Sequence, residues 1–197
     1  MMLKNASGAS GEYRDGAELD EIVTDWYSFL DKSSPIKNED QAKLAVQLGG
    51  SPGRDINAPF LRVSRNRKGR GVFTKRAFNQ GEFVVEYAGE LVDLDEAKKR
   101  EQQYSLDSGK GSYMYYFKIN GRSLCVDATE EPQDQRLGRL VNHGRRNANL
   151  RTKAVVVNKE PRLILLAKSY IPVGAELLFN YGDTDKATVK AFPWLRE

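Results

Sequence analysis

Apolar residues near the start of the chain recur at the spacing of an amphipathic helix. Between Leu19 and Leu30 they fall at i, i+3, i+4, i+7, i+8 and i+11, which places them on one helical face. A second helix is predicted from an N-cap at Asn38 to a stop at Gly49. We expect the two helices to form a flank, residues 1–59, that packs on the main domain; the alternative is that one of them binds a partner protein.

From residue 60 onward the pattern changes to short apolar runs separated by turns. Asn120-Gly121 between two such runs predicts a β-hairpin. A helix is predicted from an N-cap at Asp93 to about Tyr104, with Glu96 placed four residues before Arg100. Short strands without alternating βαβ units indicate a mainly β (α+β) domain and exclude a Rossmann or P-loop fold. The predicted strands lie near residues 60–64, 71–76, 82–87, 113–119, 122–127, 154–157, 162–168 and 176–181.

The composition is that of an ordinary soluble domain, with 40% hydrophobic and 29% charged residues in a chain of 197. No apolar run reaches the length of a membrane span, and the first residues lack the apolar core of a signal peptide. The sequence has one cysteine, Cys125, and one histidine, His143. An internal disulfide is therefore excluded, and we expect no metal site.

Charge is distributed unevenly along the chain. Residues 1–40 hold nine acids and four bases, a balance of −5, which leaves +9 for the rest of a chain whose net charge is +4. Between Phe60 and Arg76 there are seven bases and no acid. Such a stretch is either a solvated face or a surface that contacts nucleic-acid phosphates without reading bases.

Two stretches contain the candidate chemistry. His143 follows Asn142 after a short helical turn, and in the predicted strand at residues 176–181 the side chains of Phe179 and Tyr181 share one face, with Asn180 on the other. Taken singly, a lone histidine is usually a packed, hydrogen-bonded residue, and two aromatic residues at strand spacing are usually core. The two stretches together are more informative than either one.

Four segments occur in a characteristic order, at residues 67–72, 86–90, 139–143 and 176–183. Their order and spacing resemble the SET domain of protein lysine methyltransferases, from about Lys68 to the C-terminus. The resemblance implies small curved sheets, a knot-like C-terminal segment and a short C-terminal helix, with the SET domain at residues 60–184 and a cofactor-closing tail at residues 185–197. The nucleosomal histone H4 lysine-20 methyltransferases are similar at residues 83–87, 95–101, 113–117, 125–129 and 193–195.

The resemblance implies S-adenosyl-L-methionine as the cofactor. Asn142 and His143 match a pair that holds the cofactor's amino group and adenine. Trp194 matches an aromatic residue that stacks on the adenine, where most relatives use a zinc module. In the turn before the second strand, glycine lets backbone N–H groups approach the methionyl carboxylate, which a base also neutralises. The implied cofactor-binding residues are Lys68, Gly69, Arg70, Tyr113, Asn142, His143 and Trp194.

Tyr181 matches the family's catalytic tyrosine. The attacking lysine amine must be neutral although a free lysine has a pKa of about 10.4, and both an apolar channel and a nearby sulfonium disfavour its charged form. Aromatic walls from Tyr87, Phe179 and Tyr181 would fit the lysine stem and its cationic head. We expect Tyr181 to orient the amine rather than to act as a base. The resemblance adds Ser112 and Asp183 to the substrate-binding residues.

The sequence departs from the lysine-20 subgroup at several positions. Phe179 stands where the mono-methylating members have tyrosine, which predicts dimethylation or trimethylation. Gly144 stands where serine is usual, Ser112 where a cysteine is found, and Phe192 where a histidine is found. These last three departures affect loops or substrate contacts.

The hypothesis is a histone-lysine N-methyltransferase that acts on lysine 20 of histone H4 in nucleosomes. The alternatives are another histone or non-histone lysine, and a catalytically inert SET-fold module that binds chromatin; the presence of Asn142, His143 and Tyr181 favours the enzyme. The expected partners are the H4 tail and, through basic residues, nucleosomal DNA, with no membrane and no metal. We expect a monomer located in the nucleus on chromatin. Candidate acids for the basic tail are Glu90, Asp93, Glu130 and Glu131.

Overall fold

The fold was analysed in a computed structural model that describes residue 43 and residues 57–66, 69–106, 113–131 and 136–181. Lys43, which falls in the second predicted helix, is helical. Residues 57–59 of the predicted N-terminal flank are also described, and the last two of them begin a 3₁₀ helix; the remainder of the flank and the predicted C-terminal helix and tail lie outside the described residues. None of the helices in the described ranges is long and apolar enough to cross a membrane.

Ten short strands form four small sheets in the described ranges. One antiparallel sheet pairs β1 with β2, a second has the order β3-β9-β8, a third has the order β4-β6-β5, and β7 and β10 form a parallel pair. The strands are β1 (Leu61–Asn66), β2 (Gly69–Thr74), β3 (Phe83–Glu86), β4 (Glu90–Asp93), β5 (Met114–Ile119), β6 (Arg122–Asp127), β7 (Asn142–His143), β8 (Leu150–Val157), β9 (Glu160–Ala167) and β10 (Leu178–Phe179). The same ranges also contain the helix α1 (Leu94–Ser105) and two 3₁₀ helices, Ala58–Phe60 and Gly138–Leu140.

The mainly β architecture agrees with the sequence prediction. Each predicted strand overlaps an observed one, and Asn120 and Gly121 both have positive φ, 50° and 75°, as a tight hairpin turn requires. The strands β4 and β7 were not predicted. The strand predicted at residues 176–181 is reduced to the two residues of β10, because Glu176 instead forms an isolated bridge with Phe73 of β2.

Helix α1 begins where the sequence predicted it. The side chain of Asp93 accepts hydrogen bonds from the backbone N–H groups of Asp95 and Glu96, at 3.1 and 2.9 Å. Arg100 pairs with Glu96 at 2.8 Å and also reaches the buried carboxylate of Asp127 on β6 at 3.1 Å. The helix is therefore fixed to its sheet by charge as well as by its one buried residue, Ala97.

The basic stretch around β1 and β2 divides into two kinds of side chain. Arg76 is partly buried: it pairs with Glu82 at 2.6 Å, and its guanidinium lies 3.9 Å from the centre of the Phe78 ring. In contrast, Arg62, Arg65 and Lys75 are exposed. Arg76 is therefore a structural residue, and the surface interpretation applies only to the exposed bases.

Candidate active site

The parallel pairing of β7 with β10 brings the two candidate stretches together. Asn142 lies opposite Leu178, and His143 lies opposite Phe179. The backbone N–H of Gly144 extends this contact by donating to the carbonyl of Phe179 at 3.0 Å. The side chain of Asn149 supports the same segment, because its Oδ1 accepts from the N–H of Leu178 at 2.9 Å. The register of these two strands places the histidine beside both aromatic residues.

Aromatic side chains form a continuous wall next to His143. The rings of Phe179 and Tyr181 have centroids 4.7 Å apart, and those of His143 and Tyr181 are 5.1 Å apart. Tyr87 lies 6.0 Å from Phe179, and Tyr115 is 5.8 Å from each of these two rings. The structure thus brings together the three residues predicted to form the lysine channel.

Tyr115 is a member of this wall that the sequence reasoning missed. Alternation along β5 places it on the same face as Tyr113 and Phe117, and that pattern could have identified it. Its hydroxyl is 2.8 Å from Oγ1 of Thr152 on β8, so it joins two sheets.

Hydrogen bonds also fix the rings of Tyr87 and Tyr181, the two wall tyrosines predicted from the sequence. The hydroxyl of Tyr181 donates to the carbonyl of Val141 at 2.9 Å, and the hydroxyl of Tyr87 donates to the carbonyl of Tyr113 at 3.1 Å. The backbone N–H of Tyr181 donates to Nδ1 of His143 at 3.2 Å. His143 is only 2% exposed, so it is a packed, hydrogen-bonded residue that also lies in the site.

A second group of residues contains other positions that the resemblance assigned to the cofactor. The guanidinium of Arg139 lies 4.1 Å from the centre of the Tyr113 ring, and its Nε donates to the carbonyl of Ala128 at 2.7 Å. Arg70 pairs with Glu131 at 2.6 Å, and Glu131 is 3.8 Å from Arg139. Tyr113 and Arg70 are therefore connected through Arg139, to which the sequence reasoning had given no role.

Asn142 and Gly69 are also described. The side-chain Nδ2 of Asn142 donates to Oε1 of Glu176 at 2.9 Å, and Gly69 has a φ of +97°, a conformation that favours glycine. The remaining predicted site residues lie outside the described residues: Lys68, Ser112, Asp183 and Trp194.

Comparison with known families places this site in context. Residues 69–182, more than half of the chain, match the SET domain family. The chain belongs to the SET domain family. The mainly β fold of several small sheets that was predicted from the sequence is thus confirmed.

Relatives of this SET domain carry methyltransferase names. The N-lysine methyltransferase KMT5A-A of Xenopus laevis is 50% identical over 180 residues, which are 88% of this chain and 51% of that protein. The histone-lysine N-methyltransferase set-1 of Caenorhabditis elegans is 47% identical over 157 residues, 79% of this chain and 63% of that protein. The chain thus spans about half the length of the first relative and less than two thirds of the second.

A solved structure agrees with the fold. The crystal structure of CpSET8 from Cryptosporidium has a TM-score of 0.60 and 28% sequence identity to this chain. The superposition covers 86% of this chain and 96% of the CpSET8 chain. In residues 57–66, 69–106, 113–131 and 136–181 of this SET domain, no group of three or more histidine, cysteine or acidic residues could hold a metal ion.

Burial determines the ionisation of Tyr87 and Tyr181 in the wall of this SET domain. Burial raises the pKa of Tyr181 above its usual value of about 10, and the neighbouring Tyr113 adds to the effect. Burial also raises the pKa of Tyr87, with a further contribution from Tyr181. Both residues are therefore neutral phenols at physiological pH, able to donate and accept hydrogen bonds but not to act as strong bases.

The structure gives a reason for the glycine at position 144 of this SET domain. A Cβ added to Gly144 would lie 2.6 Å from Oδ1 of Asn147 and 3.0 Å from Cβ of Leu178. A serine there would make the Asn147 amide, the end of a flexible side chain, turn away and would make Leu178 give by a few tenths of an ångström, so glycine accommodates the close approach of β7 to β10 without being essential to it.

Proposed function

We propose that this protein is an S-adenosyl-L-methionine-dependent histone-lysine N-methyltransferase that acts on lysine 20 of histone H4 in nucleosomes. The observation that carries this proposal is the cluster of Tyr87, Phe179 and Tyr181 beside His143. Tyr87 and Phe179 are buried, and the hydroxyls of Tyr87 and Tyr181 are held by hydrogen bonds, so the rings keep fixed positions, as a reaction governed by the alignment of two reactants requires. The names of the relatives support the same substrate class.

The wall would act on the lysine by physical means. Phe179 and Tyr87 present ring faces and edges that match a methylene stem, and their low polarity favours the neutral amine. The neutral phenol of Tyr181 orients that amine, because its oxygen can accept a hydrogen bond while its proton is donated to Val141. Tyr181 therefore orients the neutral amine and does not itself act as the general base.

The residues present fit S-adenosyl-L-methionine, which supplies an electrophilic methyl group when it is bound. Its cationic amino group needs an acceptor, and Asn142 can offer Oδ1 because its Nδ2 donates to Glu176. Its carboxylate needs hydrogen-bond donors, and Arg70 can supply them. The neighbouring Gly69 leaves open space, since a Cβ added there would meet no heavy atom within 4 Å. We assign Lys68 and Trp194 to the same pocket, and Ser112 and Asp183 to the substrate, on the family resemblance.

Contact with chromatin would use exposed charge. Arg62, Arg65 and Lys75 are exposed bases on or next to β1 and β2, and they are the candidates for phosphate contact. Asp93 and Glu90 are candidate acids for the H4 tail that already have partners within this chain. Asp93 caps α1, and Glu90 forms an ion pair with Arg100 at 2.6 Å. We assign the protein to nuclear chromatin, acting as a monomer.

A methyl-transfer assay tests the proposed function. Recombinant nucleosomes would be incubated with labelled cofactor, in parallel with nucleosomes in which lysine 20 of H4 is replaced by arginine. Label in the first sample and its absence in the second would support both reaction and target. Equal labelling would support another lysine, and no labelling of either would favour the inert binding module.

Asn142→Ala is expected to weaken cofactor binding about thirtyfold, since it removes one hydrogen bond to a charged group, about 2 kcal/mol. Titration calorimetry with S-adenosylhomocysteine measures the change. Asn158→Ala, a substitution in the exposed turn between β8 and β9, provides the control. An unchanged affinity in Asn142→Ala would contradict the assignment of this residue to the cofactor.

Phe179→Tyr is expected to shift the product toward monomethyllysine by about tenfold. A hydroxyl at this position would hold the amine or a water of about 30 Å³ beside it, and a monomethylated amine must displace that water before it reacts again. One neutral hydrogen bond, about 1.4 kcal/mol, corresponds to this tenfold change and is enough to change the dominant product. Phe179 lacks this hydroxyl, so the wild-type enzyme should proceed to dimethyllysine and trimethyllysine.

Mass spectrometry of unmodified and monomethylated H4 peptides distinguishes these products. Phe73→Tyr on β2, beneath Arg62 at 4.7 Å, is the matched control and should leave the distribution unchanged. A wild-type enzyme that leaves the monomethylated peptide untouched would show that another residue sets the methyl count.

A further inference from the structure

Glu176 connects β2 with β7, the strand that contains Asn142 and His143. Its backbone forms an antiparallel bridge with Phe73 of β2, and its carbonyl accepts from Nδ2 of Asn149 at 2.7 Å. Its side chain turns to β7, where Oε1 accepts from Nδ2 of Asn142 at 2.9 Å. Glu176, three residues before Phe179, thus holds the side chain of Asn142, which is assigned to the cofactor.

The chemistry of a carboxylate fixes the orientation of the Asn142 amide. An ionised carboxylate only accepts hydrogen bonds, whereas an amide both donates and accepts, so the NH₂ group must face Glu176. The oxygen Oδ1 then lies on the other side of the amide. An amide rotated by 180° would place its NH₂ there and would repel a cation.

We propose that Glu176 is a positioning residue for the cofactor's amino group: it holds Asn142 in the orientation in which Oδ1 accepts from a cationic amine. This inference rests on the proposed function, because it takes S-adenosyl-L-methionine as the ligand. The role assigned to Glu176 is recognition of the cofactor's amino group through Asn142. This role differs from general structural support of β10.

The position of Glu176 in the chain gives this contact a second consequence. Phe179 and Tyr181 follow it by three and five residues, so one short segment carries the amide-orienting carboxylate and two walls of the lysine channel. The backbone of this segment is already held by β2 and Asn149. Loss of the carboxylate should therefore affect the amide more than the channel.

The test compares two ligands that differ only in the α-amino group. Calorimetry would measure the affinity of S-adenosylhomocysteine and of its desamino analogue for the wild type, Glu176→Ala and Glu176→Gln. We expect Glu176→Ala to weaken S-adenosylhomocysteine about tenfold, the size of one net hydrogen bond, and to leave the analogue unaffected. Glu176→Gln should retain most of the affinity, because its Oε1 can accept the same bond.

Two controls separate positioning from structural support. Glu160→Ala removes an exposed carboxylate of β9 and should change neither ligand's affinity. In an Asn142→Ala background, Glu176→Ala should have no further effect on S-adenosylhomocysteine, since the residue acts through the amide that is missing. Thermal unfolding checks that each variant is folded; if Glu176→Ala is not, Glu176→Met, which keeps the length of the side chain, replaces it in the same comparison.

The outcomes are distinguishable. Equal loss of both ligands in Glu176→Ala, or loss of neither, would overturn the positioning role and leave the methyltransferase assignment standing. A wild-type protein that binds neither ligand would overturn the proposed cofactor, and this inference with it.

Discussion

Replacing Tyr181 with phenylalanine should slow methyl transfer about a hundredfold, the cost typical of a reacting group that loses its alignment. The hydroxyl of Tyr181 is fixed by its hydrogen bond to Val141, so its oxygen presents a lone pair at a constant position in the wall. The phenylalanine ring would keep the packing against Phe179 and His143 but not the orientation of the amine. Single-turnover kinetics on an H4 peptide, together with cofactor affinity, would separate the two effects.

The expected result for Tyr181→Phe is a lower rate with nearly unchanged cofactor affinity. Tyr170→Phe, at a tyrosine that is 62% exposed, is the matched control and should have no effect. Because burial raises the pKa of Tyr181, the wild-type rate should rise with pH up to about 10 as the lysine amine loses its proton, without a decline from this tyrosine. A Tyr181→Phe enzyme with the wild-type rate would remove the hydroxyl from the mechanism.

Gly138→Ala should destabilise the protein by about 3 kcal/mol, the upper end of the usual cost of overpacking. A Cβ at Gly138 would overlap the carbonyl oxygen of Glu86, lie 2.8 Å from its carbonyl carbon and lie 3.0 Å from Cα of Tyr87. All three contacts are with backbone, so no side-chain rotation relieves them. The segment that would have to move carries Tyr87, and activity should fall together with stability.

Urea unfolding of Gly138→Ala measures the loss of stability. Gly121→Ala is the control: its added Cβ meets nothing within 4 Å, and only its positive φ of 75° is unfavourable, at about 1 kcal/mol. The difference between the two variants isolates the steric contribution. A loss no larger in Gly138→Ala than in Gly121→Ala would mean that the 3₁₀ helix at Gly138 moves away from β3 at little cost.

The strands and the helix that could be predicted have local signals. The Asn120-Gly121 turn and the cap at Asp93 act within a few residues, so the sequence alone determines them. The strand β7 has two residues and no alternation, and it exists because β10 lies beside it. Its presence depends on a contact with a distant segment that periodicity does not encode.

The site shows the same division. Tyr181 and His143 were identified because they lie in segments whose order resembles a family. Tyr115 and Arg139 were not, because their place in the site depends on packing between sheets and on a guanidinium over the Tyr113 ring. Counting basic residues in the sequence likewise could not show that Arg76 is a structural residue paired with Glu82, whereas the bases near it are exposed.

The pairing of β7 with β10 has a consequence for how the site is assembled during folding. It closes a long loop that contains all of β8 and β9, and it gains only two residue pairs in return. The entropy of closing such a loop makes this pairing unfavourable until the β8-β9 hairpin has already shortened it. We therefore expect His143 and Phe179 to meet late, after the larger sheets have formed. A ligand that touches both segments would stabilise the folded chain at this step, because it binds only after the loop has closed.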